Sequence, residues 1–265
     1  MKPHSSCAPE AQPTRLFCFP NAGGTTARYI AWKKRLPASV QVVPLEYPGR
    51  GVKSAVPVCR NLKALLTTLV EEIEPQLATP YCFFGHSMGA TVAFELGRQL
   101  QALGYPPPKA LIISGRRAPH VRVQGLLHVL PDRQLVEALQ ALNGIPAPLL
   151  ERPDVLNHFL PIIRADLEAL ETWEPGSGEK LRCDLYLFGG THDPLAPTAD
   201  LVAWRAHVEG STRINLFPGG HFYLDDNVSD VTSMIASVLG EAAWWPGRRA
   251  MDQPLWEGAG TSSER

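Results

Sequence analysis

Apolar residues along this chain follow two rhythms. Short unbroken runs end at Gly, Pro or Asn, and longer stretches repeat every three or four residues. The first rhythm suits strands buried on both faces, and the second suits helices with one buried stripe. Residues 16–19, 40–45, 81–84, 110–114, 185–188 and 214–217 read as strands. Residues 62–77, 90–103 and 228–239 read as helices between or after them. Strands alternating with helices predict an α/β fold with a mostly parallel central sheet and helices on both faces.

One stretch breaks the alternation. Between Ser114 and Leu185 only helical periodicity is visible. Asp132 is placed to N-cap a helix ending at Asn143-Gly144. A second helix starts near Pro153, carries Leu156, Leu160, Ile163, Leu167 and Leu170 on one face, and is expected to kink at Pro161. A helical insertion at about 115–175, after a central strand, has the position of a lid over a site at the sheet edge. The plainer alternative is that these helices only pack on the sheet. Phe159 and Leu160 are bulky enough for a pocket wall, but their helix register cannot be assigned from the sequence.

The remaining organisation is simple. Residues 1–14 form a loose Ser- and Pro-rich tail, 15–240 one domain, and 241–265 a tail expected to be disordered. A chain of 265 residues, 45% hydrophobic, can bury a large single core. A formal net charge of −1 carries no nucleic-acid or membrane signal. Five scattered cysteines contain no C-x-x-C pair, so neither zinc nor a disulfide framework is expected. Cys18 and Cys82 fall in strands as buried thiols. No apolar run is long enough to span a bilayer, and a cytoplasmic protein is the default.

The candidate chemistry begins at Gly85-His86-Ser87-Met88-Gly89, a G-x-S-x-G pattern between a strand and a helix. Such a turn exposes Ser87 Oγ and aims a helix N-terminus at charge forming beside it. A serine hydroxyl needs a histidine to take its proton and an acid to orient that histidine. Of eight histidines, His221 follows a late strand through Pro218-Gly219-Gly220, at the edge where α/β enzymes assemble their sites. Asp193, after residues 185–188 and Gly189-Gly190-Thr191-His192, is the preferred acid; Asp166 and Asp184 are its rivals. The order Ser87, Asp193, His221 is that of an α/β-hydrolase triad. The Met88 N–H and the Ala22 N–H, in Pro20-Asn21-Ala22-Gly23-Gly24, are the expected oxyanion donors.

Six motifs then occur in sequence order: Phe19 to Gly24, Tyr47-Pro48-Gly49-Arg50-Gly51, Phe84 to Gly89, Pro161-Ile162-Ile163-Arg164-Ala165-Asp166, Gly189 to Asp193, and Gly219-Gly220-His221-Phe222. Together they resemble the type II thioesterases of polyketide and nonribosomal peptide synthesis, and the animal medium-chain fatty acyl thioesterase looks similar. The resemblance covers residues 15–239. It implies an acyl-serine intermediate on Ser87, with the acyl group delivered on the phosphopantetheine arm of a carrier protein. It implies no cofactor or metal of the enzyme's own, a carrier protein as partner and a monomer. The service implied is removal of wrong or stalled acyl groups. An acyl-CoA or small-ester hydrolase, a medium-chain release enzyme, an acyltransferase, or a binding protein built on a dead hydrolase fold are the competing expectations. Arg116 and Arg117 form a candidate docking pair for an acidic carrier, against the alternative of a solvated surface pair.

Overall fold

In the computed structural model, residues 12–243 are described, except 122–124, 146 and 177. The chain runs β1 (Thr14–Phe19), α1 (Ala27–Trp32), β2 (Val40–Pro44), α2 (Leu62–Ile73), β3 (Tyr81–His86), α3 (Met88–Ala102) and β4 (Ala110–Ser114). It continues through α4 (Asp132–Ala141), α5 (Ala147–Leu150), α6 (Pro153–Glu171), β5 (Asp184–Gly190), α7 (Thr198–Val202), β6 (Thr212–Phe217), α8 (Tyr223–Asp226) and α9 (Val228–Ala243). The strands form one six-stranded sheet in the order β2-β1-β3-β4-β5-β6, with every pairing parallel.

The unbroken apolar runs are explained by burial on both faces. Phe17, Phe83, Leu111, Ile113, Leu185 and Leu187 point into the core beneath α2 and α3. Their alternate neighbours, such as Leu16, Cys18, Cys82, Ile112 and Phe188, join the core beneath α1 and α9. The two-residue period of a strand sorts each run between the two layers. Burial pushes the Cys82 thiol up to about 12 and raises Cys18 well above its ordinary value. Both are inert fillers under these conditions.

The segment between β4 and β5 builds a third, smaller core from Leu135, Ile145, Leu156, Leu160, Ile163 and Leu167. Further along α6, Ala169 and Leu170 enter the main core beside α3. Helix α6 therefore belongs to both cores. It runs as one element through Pro161. Helix α4 ends as expected, with Asn143 in the left-handed region at φ 57°. Its start differs from the sequence reading. Pro131 occupies the N-cap, and Asp132 in the first turn receives Arg164 Nη2 at 2.6 Å. Helix α9 continues to Ala243, beyond the expected boundary at 240. Of the tails expected over 1–14 and 241–265, residues 1–11 and 244–265 lie outside the described residues, while Thr14 already belongs to β1 and residues 241–243 to α9. No described helix is long and apolar enough to cross a membrane.

Candidate active site

All the chemistry-bearing loops leave the sheet at its C-terminal edge, as parallel topology requires. Ser87 stands between β3 and α3 with φ 55° and ψ −116°. This is a costly backbone for a residue with a Cβ. The flanking glycines permit it. A Cβ at Gly85 would lie 2.1 Å from the Gly89 oxygen, and one at Gly89 would lie 2.0 Å from the Phe19 oxygen. The Ser87 N–H donates to the Ser114 carbonyl at 2.8 Å, which pins the turn to the end of β4.

His221 follows β6 and Asp193 follows β5. His221 Nε2 lies 3.0 Å from Ser87 Oγ, and His221 Nδ1 lies 2.9 Å from Asp193 Oδ2. The other Asp193 oxygen accepts the Leu195 N–H at 2.8 Å. Both His221 and Asp193 are buried. The three expected residues thus form one hydrogen-bonded line. Such a line can move a proton from serine to imidazole while the carboxylate holds the ring and its tautomer.

The rival acids lie elsewhere. Asp184 is at the opposite end of β5, where it receives the Ser211 N–H and hydroxyl at 2.9 and 2.7 Å. Asp166 is on α6, in a separate role. Its carboxylate takes Arg50 Nη1 at 2.5 Å and Nη2 at 2.6 Å, and its Oδ2 also accepts the Gly23 N–H at 2.7 Å. Arg50 lies against the Tyr47 ring, and the Tyr47 hydroxyl donates to the Pro20 carbonyl at 3.2 Å. Three sequence motifs far apart in the chain therefore meet around one turn. That turn carries Ala22, and α3 opposite begins with Met88. Neither N–H has a recorded hydrogen-bond acceptor among the described residues. Gly23 takes φ 70°, and a Cβ there would lie 2.4 Å from Ile163 Cγ1, so α6 sits directly on the turn.

His86 is the residue the motif alone does not explain. Its side chain turns away from Ser87 and lodges behind His221, with ring centroids 5.1 Å apart. His86 Nδ1 and Ser114 Oγ are 2.9 Å apart, and Ser114 Oγ and the Tyr223 hydroxyl are 2.6 Å apart. Its Nε2 is buried without a partner. Burial first, then nearby His221 and Arg28, hold its pKa well below 6.5. A neutral ring thus backs the proposed base. Gly115, at φ 57°, leaves room for both rings, since a Cβ there would lie 2.9 Å from His86 Cε1.

Ser87 opens on a chamber of about 1070 Å³ between the sheet edge and α4 and α6. Its apolar wall includes Leu127, Leu130, Leu142, Leu167 and Leu170. Phe159 and Leu160 are not in that wall; they pack with the smaller core. Arg116 and Arg117 also differ from the surface docking pair considered from the sequence. Arg116 faces the chamber, with Nε donating to Thr91 Oγ1 at 3.0 Å. Arg117 Nε donates to the Leu195 carbonyl at 2.8 Å and lies 3.8 Å from Asp200. Asp225, at the short helix after His221, pairs with Arg28 at 2.9 Å. Among the described residues no cluster of three or more His, Cys, Asp or Glu stands ready for a metal ion.

Comparison with known proteins places this geometry in context. Residues 14–239 match the family model described as Thioesterase domain. The chain is 37% identical to linear gramicidin dehydrogenase LgrE of Brevibacillus parabrevis, over 84% of this chain and 87% of that protein. It is 34% identical to thioesterase PikA5 of Streptomyces venezuelae, over 92% and 88%. Among solved structures it superposes on the type II thioesterase BorB from the borrelidin biosynthetic cluster with TM-score 0.79 and 34% identity, covering 88% of this chain and 94% of that one.

Proposed function

This chain belongs to the thioesterase domain family, and from that premise we propose that it edits acyl groups held as thioesters on the phosphopantetheine arm of carrier proteins. It is an α/β-hydrolase that acts on thioesters. The observation that carries the chemistry is the 3.0 Å contact between Ser87 Oγ and His221 Nε2. Ser87 Oγ attacks the thioester carbonyl as His221 takes its proton. The resulting oxyanion sits between the Met88 and Ala22 N–H groups. The C–S bond breaks, and His221 returns the proton to the departing sulfur. Water then attacks the acyl-serine with His221 again as base; the bond to Ser87 Oγ breaks, His221 returns the proton to that oxygen, and the free acid leaves. The cycle needs no cofactor from the enzyme, and the site is complete within one chain, which supports a monomer as the working unit.

Two features support a carrier-borne substrate in polyketide or nonribosomal peptide synthesis. Relatives such as PikA5 and BorB are named as thioesterases, the latter from a biosynthetic cluster. The apolar chamber also has room for a long acyl group. The dehydrogenase name of LgrE does not come over. The G-x-G-x-x-G pattern that cradles a dinucleotide occurs nowhere in this sequence.

The test compares one acyl group on a carrier protein, on coenzyme A and as an oxygen ester, with the wild type and Ser87→Ala. The wild type should favour the carrier and form a mass-detectable acyl adduct at Ser87. The variant should lose ~10⁴-fold or more in kcat. Unchanged hydrolysis by Ser87→Ala would sink the mechanism, and equal kcat/KM on all three substrates would sink the carrier.

A further inference from the structure

We propose that the Arg116 guanidinium is an anion-receiving subsite inside the acyl chamber, and that monothioesters of short dicarboxylic acids are a preferred substrate class. The inference rests on the thioesterase reading and narrows it. Arg116 and Ser87 line the same chamber. The Arg116 backbone is pinned by Trp204 Nε1, which donates to its carbonyl at 2.7 Å. Its Nε is spent on Thr91 Oγ1. Thr91 lies four residues after Ser87 along α3, about one turn and ~5.4 Å of rise away. The head group is therefore fixed close to the nucleophile.

What distinguishes Arg116 is the lack of a direct acid partner: Glu171, on the same chamber wall, acts on its charge only from beyond ion-pair distance. Among the described residues no carboxylate lies within ion-pair distance of it, and its two terminal nitrogens meet no hydrogen-bond acceptor. The buried Arg50, in contrast, has Asp166 on both terminal nitrogens. The other charges around the chamber are committed or peripheral. Arg117 is held by Leu195 and Asp200. Glu171 accepts the Leu127 and His128 N–H groups, each at 3.0 Å, and His128 Nδ1 lies 2.6 Å from it. Glu174 and His120 are exposed at the rim, and His120 Nδ1 lies 2.7 Å from His207 Nε2. Burial, reinforced by Arg117 and opposed by the Glu171 carboxylate, pushes the Arg116 pKa down to about 10, so the group stays charged at neutral pH. A half-buried cation with an open fork favours a carboxylate taken by two parallel hydrogen bonds.

Reach decides which carboxylate. One helical turn fits an acyl chain with a few carbons between the thioester carbonyl and a terminal acid. The phosphate of the carrier arm does not fit, because it lies on the leaving-group side, a full pantetheine length from the thioester.

The probes are the glutaryl thioester of N-acetylcysteamine and the neutral isostere with an isopropyl group in place of the terminal carboxylate. The wild type should favour the glutaryl thioester by ~10-fold or more in kcat/KM. Arg116→Gln should cost the glutaryl thioester ~10–100-fold and the isostere little, and Arg116→Lys should restore part of the preference. Equal rates on the two probes by the wild type would overturn the subsite. So would an equal loss on both in Arg116→Gln, which would make the Thr91 contact merely structural. Failure of the wild type on both probes would overturn the thioesterase reading together with this one. A measurement free of variants is competitive inhibition of the wild type by glutarate monoamide and by its neutral isostere. The anion should bind more tightly, and equal inhibition would refute the subsite.

Discussion

Asp166, on helix α6, accepts the Gly23 N–H at 2.7 Å while both of its oxygens grip Arg50. One carboxylate thus fixes the turn that presents the Ala22 N–H. Asp166→Asn keeps the size and one acceptor but leaves Arg50 charged and unpaired in a dry site. Breaking such a pair costs ~3–5 kcal/mol. Loosening one oxyanion donor should lower kcat by ~10–100-fold, somewhat less than deleting a donor outright. KM for a small thioester should change little, because the group acts on the transition state. Chemical denaturation and steady-state kinetics read the two effects separately. A stable variant with wild-type kcat would remove Asp166 from any positioning role.

His86 makes folding sensitive to acid. Its folded pKa lies well below 6.5, so between those two values the unfolded chain binds a proton that the folded one refuses. Stability is whole above about pH 6.5 and declines as the pH falls below it, with a slope approaching ~1.4 kcal/mol per pH unit. His207, half-buried and also lowered, adds a smaller decline of the same sign. His86→Gln should reduce the maximum stability, because the contacts to Ser114 and His221 change, yet flatten the acid slope. Urea unfolding across the acidic range measures this. A slope identical to the wild type would place the acid sensitivity elsewhere.

Two glycine-to-alanine changes should have opposite outcomes. At Gly89 a new methyl would meet the Phe19 and Pro20 oxygens at 2.0 and 2.6 Å. Backbone must move to admit it, at a cost of ~1–3 kcal/mol or more. The movement separates the start of α3, which carries Met88, from the end of β1 and the turn that carries Ala22, so activity should fall as well. Gly240, in α9, has nothing within 4 Å of its added methyl. Gly240→Ala should stabilise by up to ~1 kcal/mol with unchanged kinetics. Thermal melts of the two variants beside the wild type settle the comparison; a tolerated Gly89→Ala would mean that the elbow is less crowded than the distances require.

The strands were readable because each is a short apolar run closed by a turn residue, and burial on both faces leaves that trace in composition. Ser87, Asp193 and His221 were readable for a related reason: each follows a strand into a glycine-bearing turn at one edge of the sheet. Helices α1, α5, α7 and α8 leave no such trace, since four to six residues are too few to show a helical period. The Asp166–Arg50 pair spans 116 residues of sequence. No local rhythm encodes such a contact, and the sequence left Asp166 a rival acid. Arg116 looked like a surface cation because charge alone does not say which way a side chain turns. Its direction depends on Thr91 and Trp204, from two other elements.

The strand that delivers His221 also forms one edge of the sheet, opposite β2. Among the described residues β6 pairs only with β5, and its Ile214 and Leu216 remain 40% and 44% exposed. Ser87 hangs instead from a strand buried along its whole length. The two partners of the reactive hydrogen bond are thus anchored in regions of unequal resistance to opening. Fraying at one margin of the sheet would part base from nucleophile while the core still holds, so on heating hydrolysis should fail before the fold melts.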